Sequence, residues 1–179
     1  MTTARAGAAA GPPWPLAALN AAAPDDARLR GDLGACCAAA AWIESVLAGR
    51  PYPDEQSLLA ASEAATAALD DAGLAQAIAA HPRIGERPSG PNGQWSRQEQ
   101  SGVSGDDIRA RLAAANAEYE QRFDQVYLVC ATGRSGDELL AICRARLGND
   151  AATERSVVLG ELARINRIRL AKLLHAEAL

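Results

Sequence analysis

The chain has 179 residues, enough for one domain with a real core. A net charge of −4 argues against nucleic-acid binding, which requires a basic footprint to neutralise phosphates. Hydrophobic residues make up 49%, much of it alanine, and only 4% are aromatic; a chain so rich in the best helix former and so poor in strand formers is expected to be all-α.

Residues 1–15 are rich in Ala, Gly and Pro and lack the leucine-rich block of a secretory signal, so they read as a disordered tail ahead of a single helical domain over residues 16–179. No run reaches the roughly 18 apolar residues of a membrane span, and Ala176-Glu177-Ala178-Leu179 carries no receptor-read address. The expected setting is cytoplasmic, with no membrane partner. The four cysteines, Cys36, Cys37, Cys130 and Cys143, form no C-x-x-C pair and, with two histidines, give no zinc-ligand spacing. They read as reduced, buried thiols.

In chain order, residues 16–22 predict a short helix stopped near Pro24. Residues 25–34 are a charged stretch, helix or loop, and residues 35–47 a buried helix carrying Trp42 and Ile43. Arg50-Pro51-Tyr52-Pro53 is a tight extended connection, because the two prolines fix φ and bias their predecessors away from helix. Helices follow over about residues 54–68 and 72–80. Pro82 ends the second and holds His81 extended. Residues 82–95 hold three prolines and three glycines, and irregular stretches of that length inside a domain are usually functional or disordered.

Ser96-x-x-Glu99 reads as a capping box opening a short helix, and Asp106 or Asp107 opens a longer one. On that helix Ile108, Leu112, Ala115, Tyr119 and Phe123 recur at intervals of 4, 3, 4 and 4, an apolar stripe. Residues 127–131 are a short apolar run suited to an extended segment crossing the core. Ser135-x-x-Glu138 is a second capping box, for a helix to about residue 147, and a final helix covers about residues 151–174.

His81 is the natural carrier of acid–base chemistry near neutral pH, since the only other histidine, His175, lies near the C-terminus. The plain alternative is an imidazole in contact with a helix dipole. Ser96 and Glu99 are explained as a cap, yet a helix start also offers N–H groups to an anionic ligand and a carboxylate that accepts from it. Arg169 is the least expected residue: Val158, Leu162, Ile165, Arg169 and Leu173 recur at 4, 3, 4 and 4, so a charge interrupts an apolar stripe. It is either a structural salt bridge or a guanidinium aimed at a carboxylate ligand. Arg164 and Arg167 fall on a different face and read as solvated, and Arg146 reads as a last-turn cation complementing its helix dipole.

His81-Pro82-Arg83-Ile84-Gly85 and Ser96-Arg97-Gln98-Glu99-Gln100-Ser101-Gly102 occur in this order among further landmarks: Leu19-Asn20, Trp42, Arg50-Pro51-Tyr52, Asn116, Tyr119, Phe123, Val129-Cys130-Ala131, Arg146-Leu147, Glu154 and Arg169-Leu170. In these the chain resembles the OHCU decarboxylases, which convert 2-oxo-4-hydroxy-4-carboxy-5-ureidoimidazoline to (S)-allantoin in urate breakdown. The resemblance implies a helical bundle, a homodimer, a small ureidoimidazoline substrate, and neither metal nor organic cofactor. It implies His81 as catalytic proton donor, Glu99 and Arg169 as its catalytic companions, and substrate contacts from Pro82, Ser96, Arg97, Gln98 and Gln100. It also places a second, partly backbone, binding segment at Tyr127, Leu128, Val129, Cys130 and Ala131. There the family often has a Phe-Gly-Phe-Pro-Phe-like run, where this chain reads Phe123-Asp124-Gln125-Val126-Tyr127, so that pocket wall is expected to differ. A non-catalytic helical interaction domain and a cyclic-ureide hydrolase are the rival readings; hydrolysis without a metal calls for a clear nucleophile or base pair, and none stands out.

Overall fold

The computed structural model of the protein describes residues 13–86 and 93–175. Among these residues the chain forms nine helices and no strand, the all-α architecture expected from composition: α1 (Leu16–Ala21), α2 (Ala27–Cys36), α3 (Ala40–Ala48), α4 (Glu55–Ala67), α5 (Asp71–Ala79), α6 (Gly93–Glu99), α7 (Asp106–Phe123), α8 (Gly136–Arg146) and α9 (Ala151–His175). No described helix is long and apolar enough to cross a membrane.

Short polar side chains set several helix starts. Asp26, Asp54 and Asp70 each accept the backbone N–H three residues on, at 2.8, 2.7 and 2.8 Å, satisfying donors that the helix itself leaves open. Ser135 and Glu138 form the expected reciprocal capping box of α8. The other box does not form. α6 already begins at Gly93, so Ser96 lies inside it and Glu99 at its end, leaving neither as a cap. The expected helix over residues 35–47 is also divided: α2 runs on to Cys36, and α3 begins at Ala40 with its Ala40 N–H bound at 3.0 Å by the Gln76 side chain of α5. That cap comes from 36 residues away, so the alanine-rich sequence carries no local sign of the break.

The tail boundary moves as well. Trp14 is buried, its indole N–H donating to Asp32 at 2.8 Å and its backbone N–H to the Leu173 carbonyl at 2.9 Å, with the Arg28 guanidinium 4.4 Å over the ring. Docked structure therefore starts ahead of residue 16; the rest of the tail assignment (residues 1–12), the loop at 87–92 and residues 176–179 lie outside the described residues.

Two apolar clusters form the interior. One gathers α1 to α5 and α9 around Trp42, Leu58 and Leu162; the other packs α7 on α8 around Leu112, Tyr119 and Leu139. The extended segment 127–131 passes between them. Leu128 and Cys130 face the first cluster while Tyr127, Val129 and Ala131 face the second, the alternation of an extended chain.

Arg146 does stand in the last turn of α8, but it is more than the dipole-complementing cation that its position suggests. It is 5% exposed and binds Glu154, itself 1% exposed, through Nε at 2.8 Å and Nη2 at 2.5 Å. The Tyr119 hydroxyl also donates to Glu154, the Asn149 amide donates to it at 2.8 Å, and Arg146 Nη1 donates to the Leu128 carbonyl at 2.8 Å. Burial opposes the charge on Glu154, but these hydrogen bonds prevail and hold its carboxyl below the usual range. One buried pair thus ties α7, α8, α9 and the extended segment together. Arg146→Met strands the Glu154 carboxylate without its counter-charge and should cost about 3–5 kcal/mol in urea unfolding. A loss under about 1 kcal/mol would show the pair to be incidental.

Candidate active site

Helix α5 ends at Ala79, and His81 follows in a bend before Pro82, as the proline rule requires. Its Nδ1 lies 2.9 Å from the Ala77 carbonyl. A carbonyl only accepts, so Nδ1 carries the proton and Nε2 presents a bare lone pair. Nε2 is buried and has no hydrogen-bond partner among the described residues. Burial, and then the positive charge of Arg169, push the His81 pKa down to about 4, against the smaller raising effects of the Ala77 bond and of Glu99. At neutral pH the imidazole is uncharged.

Glu99 sits at the end of α6 with its carboxylate gripped by the Arg169 fork, Nε to Oε1 at 2.8 Å and Nη2 to Oε2 at 2.9 Å. Arg169 Nη1 also reaches the Ala35 carbonyl of α2 at 3.3 Å. Planar fork meets planar carboxylate, an arrangement that fixes orientation as well as distance. Of the two readings open for the charge on the α9 stripe, the geometry is that of the salt bridge. Arg169 stands one layer behind the cleft, and Glu99 lines it.

The cleft encloses about 310 Å³, open solvent included. His81, Pro82 and Ile84 form one side, Ser96, Glu99 and Gln100 of the α6 region a second, and Tyr127, Leu128, Val129 and Ala131 a third, closed by Ile165 of α9. The Ser96 hydroxyl is buried without a partner among the described residues. Gln100 is already engaged: its Oε1 accepts the Gly85 N–H at 2.9 Å and its amide reaches the Arg83 carbonyl at 3.4 Å. It holds the 83–85 turn, where Gly85 adopts φ +91°, a conformation that suits glycine. Asn116 anchors the same turn by donating to the Ile84 carbonyl at 2.9 Å.

Nine residues expected at the site therefore line one cleft, and four do not. Gln98 is exposed and accepts from Lys172 Nζ at 2.6 Å; Arg97 is exposed on the same outer side of α6. Cys130 faces the first core cluster, and its N–H donates to Glu161 at 2.8 Å. Arg169 is the fourth. Sequence reasoning gave no role to Ile84, Ile165 or Glu154, though it had named all three, and did not single out Glu161. For the two glutamates a signal existed, because both extend the α9 stripe that flagged Arg169: Glu154, Val158, Glu161 and Ile165 recur at 4, 3 and 4.

An all-helical protein with a neutral, proline-fixed imidazole and a clamped carboxylate in one small cleft is equipped for acid–base work on a small polar ligand. The sequence profile of the OHCU decarboxylases matches residues 22–171, and the chain belongs to that family. It is 30% identical over 149 residues to the 2-oxo-4-hydroxy-4-carboxy-5-ureidoimidazoline decarboxylase of Amia calva, covering 79% of this chain and 81% of that protein. It is 25% identical over 150 residues to the uric acid degradation bifunctional protein TTL of Arabidopsis thaliana, where 80% of this chain spans only 46% of the relative. Its fold is like that of an OHCU decarboxylase crystallised in the presence of (S)-allantoin, with a TM-score of 0.71 at 22% identity over 80% of this chain and 96% of that one.

Between pH 6.5 and about 4 the unfolded chain binds a proton at His81 that the folded chain refuses. Stability should therefore fall as pH drops through that window, by roughly 3 kcal/mol. His81→Asn should remove that part of the acid dependence; denaturant unfolding of both proteins at pH 7 and pH 4.5 measures it, and parallel pH profiles would contradict the buried neutral imidazole.

Proposed function

We propose that the protein decarboxylates 2-oxo-4-hydroxy-4-carboxy-5-ureidoimidazoline to (S)-allantoin, with His81 carrying the proton. The observation that supports this reading most is the bare, buried Nε2 of His81 in the same cleft as the Glu99 carboxylate. Family membership supplies the substrate.

The substrate carboxylate sits on a ring carbon that also bears a hydroxyl and neighbours a C=N bond. When the bond to the carboxylate breaks, its electron pair forms a double bond to the neighbouring carbon, and the C=N pair moves onto the ring nitrogen, which takes a proton from solvent. Carbon dioxide leaves. The substrate's own unsaturation accepts the electrons, so the chemistry calls on no bound electron sink. An enol remains. Its hydroxyl proton must leave as the carbonyl forms, and the neighbouring carbon must gain one on a single face. His81 enters neutral, takes a proton at Nε2 and returns it to that carbon. Glu99, with its outer lone pairs, accepts from ring or ureido N–H groups; Ser96 and the 127–131 backbone meet the polar edge; Arg169 holds Glu99 in place. The reading keeps its two companion expectations, a homodimer and a cytoplasmic setting; sedimentation at twice the chain mass would support the first.

Freshly made hydroxyisourate plus its hydrolase, followed by circular dichroism, tests the reaction: added protein should speed the appearance of optically active allantoin with release of carbon dioxide. His81→Asn should lower kcat by about 10²–10⁴-fold while remaining folded. Since the neutral imidazole is the competent form, kcat/KM should stay level from neutral pH downward and fall only as pH approaches about 4. Wild-type turnover by folded His81→Asn would remove His81 from the reaction.

A further inference from the structure

Building on the decarboxylase reading, we infer that Glu161 is a positioning residue: together with Arg146 it clamps the extended 127–131 segment from behind, so that the edge of Val129 is held toward the cleft.

The two side chains act on the same edge of the chain from different helices. Arg146 of α8 donates to the Leu128 carbonyl at 2.8 Å, and Glu161 of α9 accepts the Cys130 N–H at 2.8 Å. In an extended chain the N–H and C=O of successive residues point to opposite edges, and those of alternate residues to the same edge. With Leu128 and Cys130 fixed toward the two charges, the Val129 N–H and C=O are turned the other way. Val129 lines the cleft, and among the described residues neither of its backbone groups has a hydrogen-bond partner. Such a donor and acceptor side by side match a ureide or cyclic amide, which offers one C=O and one N–H in the same spacing.

Glu161 itself is held. Arg164 binds its Oε1 at 2.9 Å and Arg134 approaches its Oε2 at 3.5 Å, so the carboxylate that meets Cys130 is fixed on both oxygens and is 8% exposed. It lies one turn before Ile165, which closes the cleft. A carboxylate serving only surface solubility would have no reason to spend an oxygen on a buried backbone N–H.

Two substitutions separate a hydrogen-bond clamp from a generic charge. Glu161→Gln keeps the reach and one acceptor oxygen; Glu161→Asp keeps the charge but withdraws it by a methylene. Glu161→Gln should hold kcat/KM within about threefold of wild type, whereas Glu161→Asp should lower it about tenfold, chiefly through KM, because the bound edge is met in ground and transition states alike. Hydrogen exchange at the Cys130 amide reads the clamp without turnover: slow in wild type and Glu161→Gln, faster in Glu161→Asp. The reverse order, or equal effects of both variants on kcat/KM and on exchange, would overturn the inference. So would a Glu161→Asp protein of lowered melting temperature with wild-type KM. An inactive wild type showing the expected exchange order would instead reject the decarboxylase reading and leave the clamp standing.

Discussion

The bidentate pair between Arg169 and Glu99 is the interaction on which the cleft depends. Helix α6 has seven residues, well below the length at which a helix holds itself together in water. Ser96 lies within it rather than at its start. What fixes α6 is tertiary. Arg169 grips its last residue and reaches the Ala35 carbonyl at the end of α2, while just beyond α6 the Gly102 carbonyl accepts the Gly136 N–H at 3.2 Å. A Cβ at Gly102 would meet the Arg134 carbonyl oxygen at 2.2 Å, so that approach is open to glycine alone. The wall bearing Ser96 and Glu99 is thus a short piece of chain stapled to the long helix behind it.

That helix supplies more than one staple. Glu154, Glu161 and Arg169 stand seven and eight residues apart on α9, close to two turns each, and so share one face at intervals of about 10–12 Å. Glu154, through Arg146, and Glu161 both reach the extended segment between α7 and α8, at Leu128 and at Cys130, and Arg169 reaches α6. Buried ion pairs are weak sources of net stability, because desolvation offsets much of the attraction. They are strong sources of geometry, since an off-register alternative leaves a charge unpaired in the interior. The arrangement of charges along α9 reads as a device for placing the surrounding chain rather than for strengthening the fold.

Much of this was open to a reader of the sequence, and the remainder was hidden for physical reasons. The helices with aspartate or serine starts fell where their caps put them, and the end of α5 followed from Pro82. The break between Cys36 and Ala40 escaped because its cap is Gln76, a tertiary partner with no local trace. The Ser96 capping box failed because the same Ser-x-x-Glu spacing also occurs inside a helix, and only packing decides. Arg169 declared itself by interrupting an apolar stripe, yet its partner Glu99 lay 70 residues away and spacing could not name it. Ile84, though inside the His81 to Gly85 motif, and Ile165, on the Arg169 stripe, were not marked out as lining residues, because an apolar residue lining a cleft looks in sequence like any core residue. Gln98 and Arg97 show the converse: a contiguous motif on a helix points in several directions, and only Ser96, Glu99 and Gln100 turn inward.

The state of His81 links this architecture to the proposed chemistry. Burial and the charge of Arg169 make the ring hard to protonate, and the pairing of Glu99 with that same arginine limits how far the carboxylate can restore its basicity. For a resting donor this would be a handicap. For a group that must take up a proton and then surrender it to carbon, it is the useful condition, because an imidazolium formed where the pKa is about 4 is a stronger acid than a free one. In the proposed step the neutral enol gives its hydroxyl proton to Nε2, which leaves an enolate beside the imidazolium; protonation of the carbon then cancels both charges, and the ring returns neutral to its hydrogen bond with Ala77.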